Sequence, residues 1–204
     1  MKKIKSVLIS VYNKEGLEPL VKTLNENGVK IYSTGGTETF IKNLGIEVIA
    51  VESVTDYPSI LGGRVKTLHP KIFGGILNRR DNTKDQSEIS EYNIPEIDMV
   101  IVDLYPFVET LNNKTSTHAD IIEKIDIGGV SLIRAAGKNY KDVLIVCNRK
   151  QYDEVNDILS SQMCQTTDQQ RMRFAGFAFE ETNDYDSDIS NYFFTKQVSK
   201  VHEV

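Results

Sequence analysis

Short apolar segments of strand type alternate with segments of helix type along the first quarter of the chain. Residues 5–11, 29–32 and 47–51 are rich in β-branched and other apolar side chains, which is typical of strands covered on both faces. Residues 16–27 carry apolar side chains at the spacing of an amphipathic helix, and a second helix is expected to open at 33–37. Because this alternation is typical of right-handed crossover units, the sequence predicts an α/β fold built on a parallel sheet.

The rest of the chain continues this pattern less regularly. Residues 52–72 are rich in glycine, proline and polar side chains, and an irregular loop of that length usually carries function. A long helix over 168–195 holds most of the phenylalanines and is expected to pack on a large apolar surface. The other predicted elements are strands at 73–77, 98–102 and 142–146 and helices at 81–92, 121–125 and 130–136. We expect residues 1–150 to form the core and residues 151–204 a C-terminal helical extension packed on it.

The charge balance and the length of the apolar runs narrow the classes of partner. The formal net charge is −5, which does not favour a surface for nucleic acid or anionic membrane but leaves room for a small phosphorylated ligand. No apolar run approaches the roughly 20 residues of a membrane span, and the N-terminus leads directly into a predicted strand. We therefore expect a cytoplasmic protein in which Cys147 and Cys164 are free thiols.

A glycine pair follows the second predicted strand, at the edge where open parallel sheets bind their ligands. Paired glycines expose backbone N–H groups, neighbouring hydroxyls add donors, and a helix N-terminus attracts anions. A tight turn capped by threonine would explain the same residues equally well. Lys14, after the first strand, is a second phosphate partner only if this loop is a phosphate site. The segment consists of Ser33, Thr34, Gly35, Gly36 and Thr37.

The loop at 61–70 concentrates polar side chains where no packing role is evident. In an extended chain Arg64 and Lys66 project to the same side, which suits a phosphate or a carboxamide oxygen. Thr67 lies beside them, and a solvated basic loop is the alternative. His69 is a candidate acid–base group, but a histidine bonded to the backbone is an equally good interpretation.

Two further pairs of residues are candidates by position. Asp103 and Tyr105 follow the buried strand at 98–102, so they are expected at the same sheet edge. Asp126 and Lys138 lie at the start and end of one predicted helix. Complementation of the helix dipole alone would explain that second pair.

Taken together, these motifs resemble one known family. It is the inosine monophosphate (IMP) cyclohydrolase domain of the bifunctional purine-biosynthesis proteins that also carry an aminoimidazole carboxamide ribonucleotide transformylase. The resemblance extends over essentially the whole chain and implies a methylglyoxal-synthase-like α/β fold, a parallel sheet layered with helices, with an added C-terminal helix. The matching segments lie at 10–17, 33–37, 61–70, 104–107, 126–129, 134–139 and 185–193.

The resemblance implies closure of 5-formamidoimidazole-4-carboxamide ribonucleotide to IMP with loss of water, without metal or cofactor. The chain stops where the transformylase domain would begin, so we expect the cyclohydrolase step only. A separate transformylase protein is then an expected partner that supplies the formylated nucleotide.

The family match also implies roles for individual residues. Lys138 would be the principal proton donor and acceptor, Lys66 and Tyr105 would polarise the formyl oxygen, and Asp126 would orient the carboxamide N–H. The ribose phosphate would contact Tyr12, Asn13, Lys14, Ser33, Thr34, Gly35, Gly36 and Thr37. The phosphate and the base ring would contact Arg64, Val65, Lys66 and Thr67. The base pocket would be lined by Asp103, Leu104, Asp126 and Ile127.

Two departures from the family pattern bear on these roles. Asp103 stands where the family usually has asparagine, and a carboxylate cannot donate the hydrogen bond that an amide can. Gly137 stands where the family usually has alanine, which is expected to loosen the end of the helix that carries Lys138.

Two other functions fit the same fold. A methylglyoxal synthase opens its first loop with a His-Asp pair, but this chain has Tyr12 and Asn13 there, which makes that activity improbable. A non-catalytic nucleotide-binding module, as in carbamoyl phosphate synthetases, would keep the glycine loop without needing the segments at 61–70 and 134–139.

A homodimer is the expected assembly. The phenylalanines of the C-terminal helix point in directions too spread for one helix–core contact to cover them all, and an exposed apolar patch favours association. They are Phe174, Phe177, Phe179, Phe193 and Phe194.

Overall fold

A five-stranded parallel sheet forms the centre of the molecule, in the order β4-β3-β2-β5-β6. The computed structural model describes the backbone of residues 1–201 and the side chains of residues 1–196, so residues 202–204 of the predicted extension lie outside the described part. The strands are β1 (Lys2–Lys3), β2 (Ser6–Ser10), β3 (Lys30–Ser33), β4 (Ile49–Ala50), β5 (Met99–Val102), β6 (Leu144–Val146) and β7 (Gln165–Thr166).

The helices cover both faces of this sheet. They are α1 (Leu17–Glu26), α2 (Gly35–Asn43), α3 (Val51–Thr55), α4 (Pro70–Leu77), α5 (Thr83–Glu91), α6 (Phe107–Asn112), α7 (His118–Glu123), α8 (Gly128–Lys138), α9 (Tyr152–Ser161) and α10 (Asp168–Val201), with 3₁₀ turns at Leu61–Gly63 and Arg149–Gln151. Within residues 1–201, no helix combines the length and the apolar character needed to cross a membrane.

β2 is the central strand of the sheet and is paired with β3 and β5. Leu8 of β2 lies opposite Tyr32 of β3 on one side and Val100 of β5 on the other, and all three side chains are buried. The apolar face predicted for the first helix is confirmed, because its leucines and valine are fully buried on the core. This parallel arrangement places the loops after β2, β3 and β5 at one edge of the sheet.

The segment predicted as a strand at 73–77 is wrong, because it belongs to helix α4. His69 caps this helix, with its Nδ1 accepting a hydrogen bond from the Lys71 N–H at 3.1 Å, and Pro70 begins it. A Cβ built on Gly75 would lie 2.3 Å from the carbonyl oxygen of Pro95, so a glycine is needed for this close packing. Short apolar runs do not distinguish strand from helix, which is the source of the error. The backbone-bonded alternative for His69 is the one observed.

The last third of the chain packs on the sheet through two helices. α9 contacts α1, whereas α10 lies along α8 and β6. Gly137 of α8 is buried, and a Cβ there would lie 3.3 Å from Phe179 Cε2 and 3.4 Å from Ala178 Cβ. Instead of loosening the end of α8, Gly137 therefore allows α10 to approach it closely. The division of the chain at residue 150 stays a prediction.

Candidate active site

A cavity of about 560 Å³ opens at the carboxyl edge of the sheet. The ends of β2 and β5, the start of α2, the segment at 61–67 and the loop between α7 and α8 all contribute to its walls. Most of the motif segments found in the sequence therefore meet at one place. The predicted site residues that line it are Tyr12, Lys14, Thr34, Gly36, Thr37, Arg64, Lys66, Thr67, Asp103, Tyr105, Asp126 and Ile127.

Two lysines lie at the start of α2, at one corner of the cavity. Gly35 adopts φ 56°, a left-handed conformation that favours glycine, and no side chain caps the helix. A Cβ on Gly35 would lie 3.3 Å from Lys66 Nζ, and one on Gly36 would lie 3.6 Å from Lys14 Nζ. Two ammonium groups thus flank backbone N–H groups that have no partner within the helix, which is an arrangement suited to phosphate.

The hydroxyl groups beside this helix start do not serve as free donors. Ser33, Thr34 and Thr37 each donate their single hydroxyl hydrogen within the protein. The acceptors are the Ile9 carbonyl at 2.7 Å, Glu52 Oε1 at 2.9 Å and the Val11 carbonyl at 2.9 Å, respectively. These three hydroxyls are engaged within the protein, so the expectation that they add donors for a phosphate stays a prediction.

The segment with Arg64 and Lys66 is a series of turns and not the predicted extended chain. The Lys66 N–H donates to the Gly63 carbonyl at 3.4 Å, so Arg64 and Lys66 diverge. Arg64 pairs with Glu123 at the mouth of the cavity, where both side chains are exposed and the pair adds little stability. Lys66 reaches inward to α2, and Val65 is not among the lining residues.

Asp103 fixes the loop after β2. Its carboxylate accepts the backbone N–H groups of Tyr12 and Asn13, the latter at 2.9 Å. Burial raises the pKa of Asp103, and those two N–H groups oppose the rise. Because both oxygens accept, the acceptor-only carboxylate suits this position better than an amide, which has one acceptor oxygen.

Asp126 lies in the four-residue connection between α7 and α8. Its Oδ1 accepts the Gly129 N–H at 2.7 Å, which satisfies one free donor at the start of α8. Burial raises the pKa of Asp126, whereas the N–H groups of Gly129 and Tyr105 and the charge of Lys66 lower it. The carboxyl is therefore a proton-accepting group that faces a lysine across the cavity.

Tyr12 and Tyr105 form an aromatic wall of the cavity. Their rings meet edge to face with centroids 5.5 Å apart, and Lys124 Nζ lies 5.2 Å from the Tyr12 centroid and 5.6 Å from the Tyr105 centroid. Burial and the nearby carboxylates raise the pKa of Tyr105, so its phenol stays protonated. Sequence reasoning missed both Lys124 and Glu123, since an isolated charged residue at a helix end carries no distinguishing pattern.

Some predicted residues lie behind this wall. Asn13 and Leu104 line a second cavity of about 350 Å³ that shares Tyr12 and Tyr105 with the first. The Asn13 side chain accepts the Glu15 N–H at 2.9 Å and so helps to begin α1. The geometry therefore indicates that Asn13 and Leu104 support the wall formed by Tyr12 and Tyr105.

Lys138 is not near the other candidates within one chain. It is the last residue of α8, an 11-residue helix and hence about 15 Å long, whereas Gly128 at the helix start lines the cavity. The Asn139 carbonyl accepts the Val143 N–H at 2.9 Å just before β6 begins, which places Lys138 at the amino edge of the sheet. Its side chain is exposed there.

Comparison with known proteins agrees with this architecture. A sequence model described as the MGS-like domain matches residues 16–131, a range that includes β3 and β5. Most residues that line the cavity lie in this range. The exceptions are the end of β2, the adjoining Tyr12–Lys14 loop and Leu132 of α8. The chain belongs to the MGS-like domain family. A second model, described as the AICARFT/IMPCHase bienzyme, matches residues 136–204. The resemblance inferred from the motifs and the predicted fold class are both confirmed.

Relatives of this MGS-like chain include bifunctional purine biosynthesis proteins, of whose length the chain spans about two fifths. The chain is 57% identical over 192 residues to the bifunctional purine biosynthesis protein PurH of Bacteroides thetaiotaomicron, and 47% identical over 194 residues to PurH of Limosilactobacillus reuteri. These matches cover 94% and 95% of this chain but 38% of each relative. A solved structure described as the crystal structure of ForH matches with TM-score 0.78 and 30% identity, over 93% of this chain and 99% of that one.

Proposed function

We propose that the chain closes 5-formamidoimidazole-4-carboxamide ribonucleotide to IMP with release of water. The observation that carries this proposal is the convergence of Lys14 and Lys66 on the start of α2, in the same cavity as Tyr105 and Asp126. A nucleotide held by its phosphate at the lysines extends its base toward the carboxyl and the phenol. The relatives described as purine-biosynthesis proteins support the same substrate class.

The reaction depends mainly on how the site positions the two reacting groups of the substrate. The carboxamide nitrogen is a poor nucleophile, so the site must hold it against the formyl carbon and stabilise the oxyanion that forms. The new C–N bond is followed by loss of the former formyl oxygen as water. Its two hydrogens come from the carboxamide nitrogen and the formamido nitrogen. Proton acceptors and donors are therefore needed on both sides of the base.

The residues that face the cavity can be matched to these needs. The Asp126 carboxylate would orient and deprotonate the carboxamide N–H, and the protonated Tyr105 phenol would donate to the formyl oxygen. Lys66 serves the phosphate corner, and its charge also lowers the pKa of Asp126, so it can assist at the formyl oxygen. No metal or cofactor takes part in this proposed scheme.

A homodimer would allow Lys138 to contribute. α10 contacts the Lys138 end of α8 through Phe179 and the loop before α8 through Tyr185. A twofold axis across α10 would set two such helices antiparallel, so that the Lys138 end of one copy lies beside the cavity end of the other. Phe193 and Phe194, 44% and 65% exposed, supply apolar surface for this contact.

The cellular setting belongs to the same proposal. The reaction would take place in the cytoplasm, and a separate transformylase protein would supply the formylated nucleotide. The bifunctional description of the PurH relatives supports a close link between the two steps.

The deciding experiment is direct. Purified protein is mixed with the formylated nucleotide, and the absorbance change of IMP formation is followed. We expect turnover that saturates with substrate and is inhibited by IMP. Binding of IMP without turnover would favour a nucleotide-binding module, and conversion of a triose phosphate instead would favour a methylglyoxal synthase; either result would overturn the proposal.

A further inference from the structure

Tyr185 of α10 lies directly beneath the connection that carries Asp126. Its hydroxyl accepts the backbone N–H of Asp126 at 2.9 Å and donates to the Lys124 carbonyl at 2.7 Å. One hydroxyl therefore fixes two backbone positions of the connection between α7 and α8, which has no regular structure of its own.

The tyrosine is itself held firmly. Its side chain is buried and its ring packs edge to face on Phe107, with centroids 6.1 Å apart. Burial raises the pKa of Tyr185 to about 12, so the hydroxyl keeps its hydrogen at neutral pH and can donate and accept at once. Tyr192, two turns further along α10, packs on the other side of Phe107.

These contacts complete the restraint on Asp126. The Tyr185 hydroxyl accepts its backbone N–H, and the N–H groups of Gly129 and Tyr105 donate to its carboxylate. Removal of the hydroxyl would leave the Lys124 carbonyl and the Asp126 N–H without partners and would free the connection to move. The carboxylate would then lose its fixed direction into the cavity.

We propose that Tyr185 is a positioning residue for Asp126, so that the C-terminal helix sets the direction of the carboxyl in the candidate active site. This inference rests on the proposed ring closure, in which Asp126 meets the carboxamide. Tyr185 itself does not line the cavity of Asp126. It acts through the backbone of the connection and not on the substrate.

The first test separates turnover from binding. Tyr185→Phe removes only the hydroxyl and is expected to lower kcat about tenfold or more, since small displacements of reacting groups have effects of that size. KM should stay within about twofold, because the phosphate corner lies on the other side of the cavity. Tyr192→Phe is the matched control, since its hydroxyl contacts His118, and it should leave both constants unchanged. Equal losses in the two variants would overturn the proposal.

A double-mutant cycle tests whether the effect passes through Asp126. Asp126→Asn keeps the backbone N–H but not the carboxylate. In that background, Tyr185→Phe should change the residual kcat by less than about twofold, because coupled residues are not additive. The same tenfold loss in both backgrounds would overturn the assignment.

A measurement without substrate keeps this inference separate from the proposed function. The Asp126 carboxyl is titrated by NMR in the wild type and in Tyr185→Phe. We expect its raised pKa to fall toward the ordinary value in the variant, because a freed carboxyl becomes more hydrated. An unchanged titration would overturn the role of Tyr185, whereas an inactive wild type with a shifted titration would overturn the ring closure alone.

Discussion

A Cβ built on Gly129 would lie 2.6 Å from Asp126 Oδ2. Leu104 Cδ2 closes the same space at 3.0 Å, so the carboxylate occupies the volume that any other side chain at residue 129 would need. Because the Gly129 N–H also donates to Asp126, the position of the carboxylate depends on glycine at residue 129.

Gly129→Ala is therefore expected to displace the Asp126 carboxylate and lower kcat by about tenfold or more. Gly176→Ala is the matched control, because a Cβ there meets nothing within 4 Å. That control should keep full activity and raise the free energy of unfolding by up to about 1 kcal/mol, as alanine favours helix over glycine. Steady-state kinetics and urea unfolding of both variants measure these effects. Wild-type kcat in Gly129→Ala would contradict the assignment of Asp126.

Gly36→Val is expected to weaken IMP binding by about tenfold or more with a smaller effect on stability. The new side chain would occupy space beside the Lys14 ammonium, which can move away from it, but the phosphate cannot then approach the helix start. Calorimetry with IMP and with inosine separates the two effects. Inosine lacks the phosphate, so its affinity should not change. Equal IMP affinity in variant and wild type would leave this loop as a simple turn.

The assembly is expected to be a dimer of the 23.0 kDa chain. Light scattering at micromolar concentration should give about twice that mass, and Phe194→Glu should reduce it because a charge would be placed in the apolar contact. Tyr92→Glu, at a 60% exposed tyrosine that ends α5, is the control and should remain dimeric. A monomeric wild type would contradict the shared interface.

Lys66→Ala and Lys138→Ala are each expected to lower turnover by roughly 10² or more without unfolding the chain, whereas the exposed Lys150→Ala should not. If Lys138 acts in the cavity of the second copy, a mixture of the two inactive variants forms mixed dimers that carry one intact site. Activity should then return to about a quarter of the wild-type value after subunit exchange. Activity of the mixture no greater than the mean of its components would exclude that arrangement.

Asp126→Asn is expected to stabilise the chain near neutral pH while it lowers turnover. Burial raises the pKa of Asp126 in the folded state, so the folded chain binds this proton more tightly than the unfolded chain does. The wild type therefore loses stability as the pH rises from about 3.8 through the raised pKa, and the neutral amide removes that loss. Urea unfolding should show a higher free energy of unfolding for Asp126→Asn than for the wild type at pH 7 and a smaller difference at pH 4. The exposed Asp186→Asn serves as the control, and a gain of equal size at both pH values would contradict the prediction.

The position of the site could be predicted from the sequence because ligands of an open parallel sheet bind at the carboxyl ends of its strands. Once β2, β3 and β5 are recognised, their following loops must meet at one edge, and Lys14, Gly36 and Asp103 do meet there. Apolar periodicity was sufficient for this step, since it depends on which faces are buried and not on individual hydrogen bonds.

The details of the site depend on contacts that sequence patterns do not encode. A threonine beside a glycine loop has the same spacing whether its hydroxyl faces a ligand or, as Thr34 does, a glutamate on α3. Likewise, Lys138 follows Asp126 closely in sequence, but a helix of fixed rise carries it to the opposite edge. The strand predicted at 73–77 was wrong because a short apolar run has the same pattern in a strand and in a helix, and the contact of Gly75 with the Pro95 carbonyl leaves no signal in the sequence.

The bond between Tyr185 and Asp126 joins residues 59 positions apart, and α10 follows every strand of the sheet. During synthesis, the sheet and the lysine corner can therefore form before the residue that aligns the carboxyl has left the ribosome. A nascent chain that ends before α10 would have the means to hold a phosphate but not an aligned reacting group. Competence for chemistry would arise only when α10 docks on the sheet.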